Sequence, residues 1–387
     1  MQNFYFFFAV AAKSMCFLLV LFVASFIVAE FKNWAISFIS GRKYIPGIKA
    51  AVVSAVKPLF QPVVPADITL SNFSYLTAVF SIVPAILLFA IIPFGPTVLN
   101  LSDLHPGLAS FPLQTVADIE NGIVFLFVAL QFLLFSPLLT ETRLPVKNID
   151  YYSKAAILKP VFGAFALVLL IMTLVISTQT FNLSGFVTHQ TQHPWLAFQQ
   201  PLTFFLFVLI LFCFDNNFFF GNKNGFIRSF QKKTAANDSA AKNIIKLARN
   251  IRLLGCASLV TLFFWGGWRP PFAALSLWEL VTTTSLYQFL APPFWFFFKT
   301  LLFIYCFIWL KINYPVNNEL SFVLIWRLIL PLTVVNLFFN SIFSLIYAGP
   351  HVIFILQVIL LVALFLGGRS KTKHANQSVT LKKRSHR

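Results

Sequence analysis

The sequence predicts an all-α, polytopic membrane protein of about nine transmembrane helices, with its N-terminus outside and its C-terminus inside. Three observations carry that prediction. Charged residues make up only 10% of the chain and hydrophobic ones 58%, whereas a soluble domain carries roughly 25% charged residues. Apolar runs extend for about twenty residues, enough to cross ~30 Å of hydrocarbon as helix. Lysine and arginine concentrate in alternate connections. A membrane barrel would instead show alternation over roughly ten residues. Helices also satisfy every backbone amide within the span.

The expected spans, in order, are 5–29, 74–94, 121–140, 160–178, 202–220, 253–268, 290–310, 328–347 and 350–367. The first is interrupted by Lys13, near its outer end. The sixth is short and adjoins a basic loop. The last two meet at Ala348-Gly349-Pro350, and could form one re-entrant hairpin instead. Residues 1–348 thus read as a membrane domain of about eight spans, 349–368 as an additional span, and 369–387 as a basic, disordered tail.

The connections orient the spans. Loop 30–59 carries Lys32, Arg42, Lys43, Lys49 and Lys57, and loop 141–159 carries Arg143, Lys147, Lys154 and Lys159. Loop 221–252 includes Lys223, Arg228, Lys232, Lys233, Lys242, Lys246, Arg249 and Arg252. Lys311, Arg327 and the tail continue the series. The alternate connections 95–120 and 179–201 have no lysine or arginine, and 269–289 has only Arg269. The positive-inside rule places the first set inside. Trp34, Tyr75, Tyr151, Trp195, Trp268, Trp278 and Trp309 sit near span ends, as an interfacial belt does.

The net charge of +18 does not imply nucleic acid, because the basic residues are dispersed over loops and a tail. Cys16, Cys213, Cys256 and Cys306 lie in apolar segments with no C-x-x-C pair, so disulfides, iron–sulfur ligation and zinc are unsupported. The N-terminal run has no basic n-region and no small-residue cleavage site. No internal repeat of the transporter kind stands out.

Few residues suggest chemistry. A carboxylate at membrane depth is a functional hypothesis by default. Asp215 reads either as a proton-exchanging or headgroup-binding acid at a cavity wall, or as an interfacial carboxylate. Glu30 beside Lys32 reads as an interfacial ion pair. Lys299 follows the aromatic run Phe294–Phe298. Snorkelling is its plain reading; a carboxylate pair or a cation–π contact are the others. His189 and His193 are four apart, but the stretch 188–194 reads as a loop, and no third metal ligand is near. Nothing resembles a Walker loop, a dinucleotide fingerprint or a nucleophile–base pair.

Several runs, in order, resemble one family. Val83-Pro-Ala-Ile-Leu-Leu-Phe-Ala-Ile-Ile-Pro-Phe-Gly-Pro96 ends like its I-P-F-G-P span, and Ala117-Asp-Ile-Glu-Asn-Gly122 is similar to its A-D-L-N-x-G. Lys147 falls on the lysine of its S-N-S-K-Y. Phe181-Asn-Leu-Ser184, Gln190, Trp195 and Pro201 follow its N-L-S…Q…W…P order. Leu262-Phe-Phe-Trp-Gly-Gly-Trp268 resembles L-F-L-G-G-W, and Phe294-Trp-Phe-Phe-Phe-Lys299 resembles F-W-F-x-x-K. Trp309 to Pro315 with Glu319-Leu320, then Ile325-Trp-Arg327, Leu330-Pro-Leu332 and Asn336, complete the series. The family is the quinone-docking membrane subunit of NADH:quinone oxidoreductase (complex I), called the H subunit in bacteria and subunit 1 in mitochondria.

The sequence also departs from that pattern. Gly41-Arg42-Lys43-Tyr44-Ile45-Pro46-Gly47 is shorter than the family's first inner loop, and Ser54-Ala-Val-Lys57 keeps its lysine without its aspartate. S-Y-E becomes Pro160-Val-Phe-Gly-Ala164, and A-E-T-N-R-x-P-F-D becomes Asp215-Asn216-Asn217-Phe218. E-x-E-S-E has no acidic counterpart across 222–233, and L-A-E-Y becomes Leu247-Ala248-Arg249-Asn250. The family's string of proton-coupling carboxylates is therefore largely absent.

The resemblance implies a membrane component that forms part of a quinone cavity and docks a soluble redox arm in a bacterial or mitochondrial inner membrane. It implies Trp34, Phe38, Lys57, Asp215, Asn217 and Arg249 as quinone-cavity residues. Arg42, Lys147, Lys299, Lys311, Glu319 and Arg327 are then partner-docking or charge-relay candidates. Quinone would be a substrate shared with partner subunits, and no metal or flavin would be held by this chain. The implied partners are other membrane and iron–sulfur subunits; the basic loops also suit anionic lipids. A scaffold paralogue without turnover, and an unrelated transporter or channel, are the alternatives.

Overall fold

The computed structural model describes residues 2–41, 68–95, 119, 121–141, 149–214, 239–270, 285–314, 318–346 and 351–362, and every regular element among them is helical. The elements are α1 (Gln2–Ile39), α2 (Ile68–Ile91), α3 (Gly122–Glu141), α4 (Ile149–Thr178), α5 (Leu183–Gln192), α6 (Leu196–Gln199), α7 (Pro201–Cys213), α8 (Ser239–Phe264), α9 (Ser285–Asn313), α10 (Asn318–Leu324), a π-turn (Ile325–Ile329) and α11 (Leu330–Leu345). A last helix, α12, spans His351–Val362.

Among the described residues, five stretches are long and apolar enough to cross a membrane: Phe17–Ile39, Leu158–Thr178, Ile244–Phe264, Ala291–Asn313 and Leu320–Leu345. Four shorter apolar helices are Ala78–Ile91, Gly122–Phe135, Pro201–Cys213 and His351–Val362. All overlap expected spans; length supports a crossing for the first five. The sixth expected span, 253–268, lies instead at Ile244–Phe264, within a helix that carries the basic segment from Ser239 onward.

α8 is the central helix, packed on α2, α9 and α1. Every residue from Ile251 to Phe264 is buried. Its close approach to α2 depends on Gly255, where an added Cβ would lie 2.8 Å from Leu88 Cδ2. A second group forms around α4, which packs on α11, α3, α7 and α10. The π-turn lies where these helices meet, and Leu330 N–H reaches back five residues to Ile325 O. Pro331 follows directly. It has no N–H for the usual i−4 bond, and its ring crowds that carbonyl, so the wider turn relieves both.

The apolar helices do not reveal their inner faces by hydrophobicity. In α1, Phe17, Leu21, Ser25, Val28 and Ala35 are buried, while Leu18, Val20, Val23 and Ile27 are exposed. α11 is inverted relative to a soluble helix: its buried residues are Thr333, Asn336 and Asn340, and Val334, Val335 and Phe338 face outward. Against lipid this is the stable arrangement, because a polar side chain finds hydrogen bonds only among neighbouring helices.

That polar stripe anchors α12. Gln357 is 0% exposed. Its Nε2 donates to Asn336 Oδ1 (3.2 Å) and its Oε1 accepts from Leu202 N (3.1 Å). Leu202 belongs to the first turn of α7, whose N–H groups have no partner within the helix. Asn336 Nδ2 donates in turn to Thr203 Oγ1 (2.8 Å), and Thr203 Oγ1 to Gln200 Oε1 (3.1 Å). The described C-terminal helix is thus an integral part of the packing. The basic tail expected over 369–387 lies outside the described residues.

Replacing Gln357 with Leu leaves the Leu202 amide and the Asn336 carbonyl oxygen without that partner. We expect a destabilisation of about 1–3 kcal/mol for the buried groups left unpaired, read as a lower thermal midpoint in detergent. Ile359→Leu, on the exposed face of α12, should leave the midpoint unchanged.

Candidate functional site

The two ends of α8 carry two different constellations. At its C-terminal end, three segments distant in sequence close around the last turn. Asn182 caps α5, its Oδ1 accepting from Ser184 N at 3.0 Å. Contrary to the loop expected over 188–194, this cap starts a helix that continues to Gln192. α5 delivers Gln190, which is buried. Its Nε2 donates to Leu262 O and Phe263 O (both 3.1 Å), two carbonyls at the end of α8 that have no helical partner. Its Oε1 accepts from Gly266 N (3.0 Å) and Leu196 N (3.3 Å).

Lys299 completes this knot. Its plain reading, a side chain snorkelling to the interface, is overturned: it is 5% exposed and turned inward. Nζ donates to Trp265 O (2.6 Å), Gly267 O (3.2 Å) and Arg269 O (2.5 Å), and lies 4.9 Å from the centroid of the Trp195 ring. The ammonium has three donors, and three carbonyls left by the end of α8 meet them. Gly266 and Gly267 have φ of +68° and +52°, the left-handed region that turns the chain here. Added Cβ atoms would meet Trp195 Nε1 at 2.8 Å and Val187 Cγ2 at 2.6 Å. Trp195 and the buried Trp268 therefore belong to this knot and its surroundings, rather than to a lipid-facing belt.

Near the first turns of the transmembrane part of α8, a second corner forms with α1 and α9. Trp34 stacks on Phe38 (centroids 5.5 Å), packs on Phe31 (5.6 Å) and approaches Tyr305 of α9 (6.3 Å). Trp34 and Phe38 are 40% and 65% exposed. Lys32 Nζ donates to Asn250 Oδ1 at 3.0 Å, tying α1 to α8. Arg249 lies close enough to Lys32 and to Arg252 for its charge to act on each. Of the six expected quinone-cavity residues, Trp34 and Phe38 stack on each other on α1, facing Tyr305 of α9, and Arg249 lies on α8 near Lys32. Lys57, Asp215 and Asn217 lie outside the described residues. Lys32, Asn250 and Arg252 complete the corner, and the periodicity of α8 was the signal available for Arg252.

Of the docking or relay candidates, Arg42 and Lys147 lie outside the described residues, and Glu319 is placed by its backbone in α10. Arg327 is exposed on the π-turn. Lys311 is buried; its Nζ donates to Phe214 O (2.9 Å) at the end of α7 and lies 4.8 Å from the Phe212 ring centroid. Lys311 and Lys299 therefore share one role, closing a helix C-terminus with an ammonium. Among the described residues, no group of three or more His, Cys, Asp or Glu is placed to hold a metal.

His189 and His193 have ring centroids 4.6 Å apart. Burial, and then the neighbouring His193, hold the His189 pKa below its usual 6.5. The folded state thus binds this proton less readily than the unfolded chain. The associated stability is complete above about pH 6.5 and is lost as pH falls through the lowered value.

The NADH dehydrogenase family model matches residues 12–341. The second H subunit of NADH-quinone oxidoreductase from Geobacter metallireducens is 24% identical over 304 residues, covering 75% of this chain and 81% of the relative. Its counterpart from Geobacter sulfurreducens is 27% identical over 275 residues (68% and 73%), and the H subunit from Protochlamydia amoebophila is 24% identical over 274 (69% and 74%).

Two measurements check this geometry. Lys299→Met should lower stability by several kcal/mol, since each buried carbonyl left unpaired costs about 1–3 kcal/mol; Lys299→Arg should recover part of it. Thermal midpoints should fall between about pH 6.5 and more acidic values, and His189→Gln should flatten that slope.

Proposed function

This chain belongs to the NADH dehydrogenase family, and from that membership we propose that it is a membrane subunit of an NADH-quinone oxidoreductase assembly that forms one wall of the quinone cavity. The observation that carries the proposal is the match over residues 12–341, which runs from α1 through most of α11. It includes both constellations on α8.

In this reading the described bundle crosses the membrane nine times, N-terminus outside, in a bacterial or mitochondrial inner membrane. The charge pattern supports that orientation: the Lys32–Arg249 corner adjoins the basic connections, and the Gln190–Lys299 knot adjoins the bare ones. The chemistry needed at a quinone wall is modest. Aromatic rings stack on the flat quinone ring, and donors hold its carbonyl oxygens. Trp34 and Phe38 supply the rings; Lys32, Arg249 and Asn250 supply donors. The electrons come from cofactors on partner subunits. Arg42, Lys57, Lys147, Asp215, Asn217, Glu319 and Arg327 are proposed to extend the cavity or its docking face.

The proton-coupling role of the family is reduced in this chain. Arg249 stands where the family pattern has a glutamate, and a guanidinium does not exchange protons. This same feature favours a second reading, a scaffold that assembles without quinone turnover.

The test uses the assembled complex in its own membranes. Trp34→Ala and Phe38→Ala should each raise the KM for quinone roughly three- to tenfold, the worth of one ring contact. NADH oxidation by a soluble electron acceptor, upstream of the quinone, should be unchanged. Phe338→Ala, on the outer face of α11, should alter neither. An unchanged KM in both Trp34→Ala and Phe38→Ala contradicts the cavity assignment. Full assembly with no quinone reduction even in the unaltered complex supports the scaffold.

A further inference from the structure

α7, α11 and α12 bury a group of polar side chains that the quinone reading leaves unused. Gln200, Thr203, Asn336, Asn340 and Gln357 are each 3% exposed or less. α7 and α11 run antiparallel there. Thr203, near the start of α7, meets Asn336 in α11. Phe214, just past the end of α7, lies beside Gly163, which Ile325 of the π-turn also approaches: an added Cβ would be 2.9 Å from the Phe214 ring and 3.8 Å from Ile325 Cδ1. So Gln200, about one turn before Thr203, and Asn340, about one turn after Asn336, lie on the same side of the Thr203–Asn336 bond.

Fixed backbone groups dictate how each amide is turned. The Leu202 N–H can only donate, so Gln357 presents Oε1 to it (3.1 Å) and Nε2 to Asn336 Oδ1 (3.2 Å). Asn336 Nδ2 is thereby turned to Thr203 Oγ1 (2.8 Å), and the Thr203 hydroxyl donates onward to Gln200 Oε1 (3.1 Å). On the other side, the Asn336 backbone carbonyl and Oδ1 both accept from Asn340 Nδ2 (2.8 and 3.1 Å). The bonds therefore run in one sense, from Asn340 through Asn336 and Thr203 to Gln200. The chain ends in Gln200 Nε2, which can only donate, and Asn340 Oδ1, which can only accept. Both atoms are buried, and among the described residues neither has a partner. In an apolar medium an unpaired polar group is costly, and one that is both donor and acceptor joins the two ends.

We propose that this is a hydration site: buried water accepts from Gln200 Nε2 and donates to Asn340 Oδ1, closing a ring of hydrogen bonds between α7 and α11. Water has the donor and the acceptor that the two ends require, and bonds that follow one another head to tail reinforce each other. The sense of the ring is set from α12, because Gln357 fixes Asn336. α12 lies beyond the matched residues 12–341, so the side chain that orients the site comes from outside the family's matched region. The inference does not rest on the quinone reading.

The test is X-ray radiolysis of the purified full chain in detergent, read by mass spectrometry. Radiolysis of a bound water makes a hydroxyl radical in place, which oxidises adjacent side chains that bulk solvent does not reach. Leu202, between Gln200 and Thr203, and Leu126 of α3 are both 0% exposed. Leu202 should be oxidised several-fold faster than Leu126. Gln200→Met removes the open donor and Asn340→Leu the open acceptor, and each should bring the Leu202 rate down to that of Leu126. Leu126 also reports unfolding, since its own rate rises if a variant loses its structure. Ile359→Leu, on the exposed face of α12, should change neither rate. Equal rates at Leu202 and Leu126 in the unaltered chain overturn the proposal, whatever the variants do. So does a fast Leu202 rate that persists in both Gln200→Met and Asn340→Leu while Leu126 stays slow.

Discussion

A backbone carbonyl at a helix end cannot turn to water in an apolar medium, and the architecture here is arranged around that constraint. The end of α8 is the clearest case. Gln190 takes the carbonyls of Leu262 and Phe263, and Lys299 takes those of Trp265, Gly267 and Arg269. Lys311 does the same for Phe214 at the end of α7, and Gln357 serves the amide of Leu202 at its start. These side chains come from α5, α9 and α12. Satisfying the ends therefore also ties those three helices to the central ones.

These ties position the corner proposed for function. α8 is held at its far end by the Gln190–Lys299 knot and along its length by close packing on α2 at Gly255. Its nearer turns then meet α1 at the Lys32–Asn250 bond, with α9 supplying Tyr305. From Arg252 to Phe264 is twelve residues, or about 18 Å of helix. One rigid element thus carries both the structural anchor and the charged corner.

Helix content, the location of the apolar elements and the family were legible in the sequence, because runs of apolar residues and ordered motifs are local features. The inward faces were not. In α11 the residues beside Asn336 are apolar, and only the 333, 336, 340 spacing hints that the polar residues point inward. The partners that Gln190 finds at the end of α8 lie more than seventy residues away and that of Lys32 more than two hundred, distances that no periodicity reports. Lys299 shows why reading a charge by its neighbours fails: an aromatic run suggests snorkelling, yet three carbonyls from another segment draw the ammonium inward. The motif residues Gln190, Trp195, Gly266, Gly267 and Lys299 were visible one by one, and their convergence on one knot was not.

The central claim is membership of a working redox assembly, and the most direct measurement is what accompanies the chain out of its native membrane. The full chain, tagged and purified in mild detergent, should bring with it subunits whose iron–sulfur centres give electron paramagnetic resonance signals on reduction by NADH. Those signals should be reoxidised on adding quinone. A chain that purifies alone, or with partners that carry no reducible centre, would contradict the account.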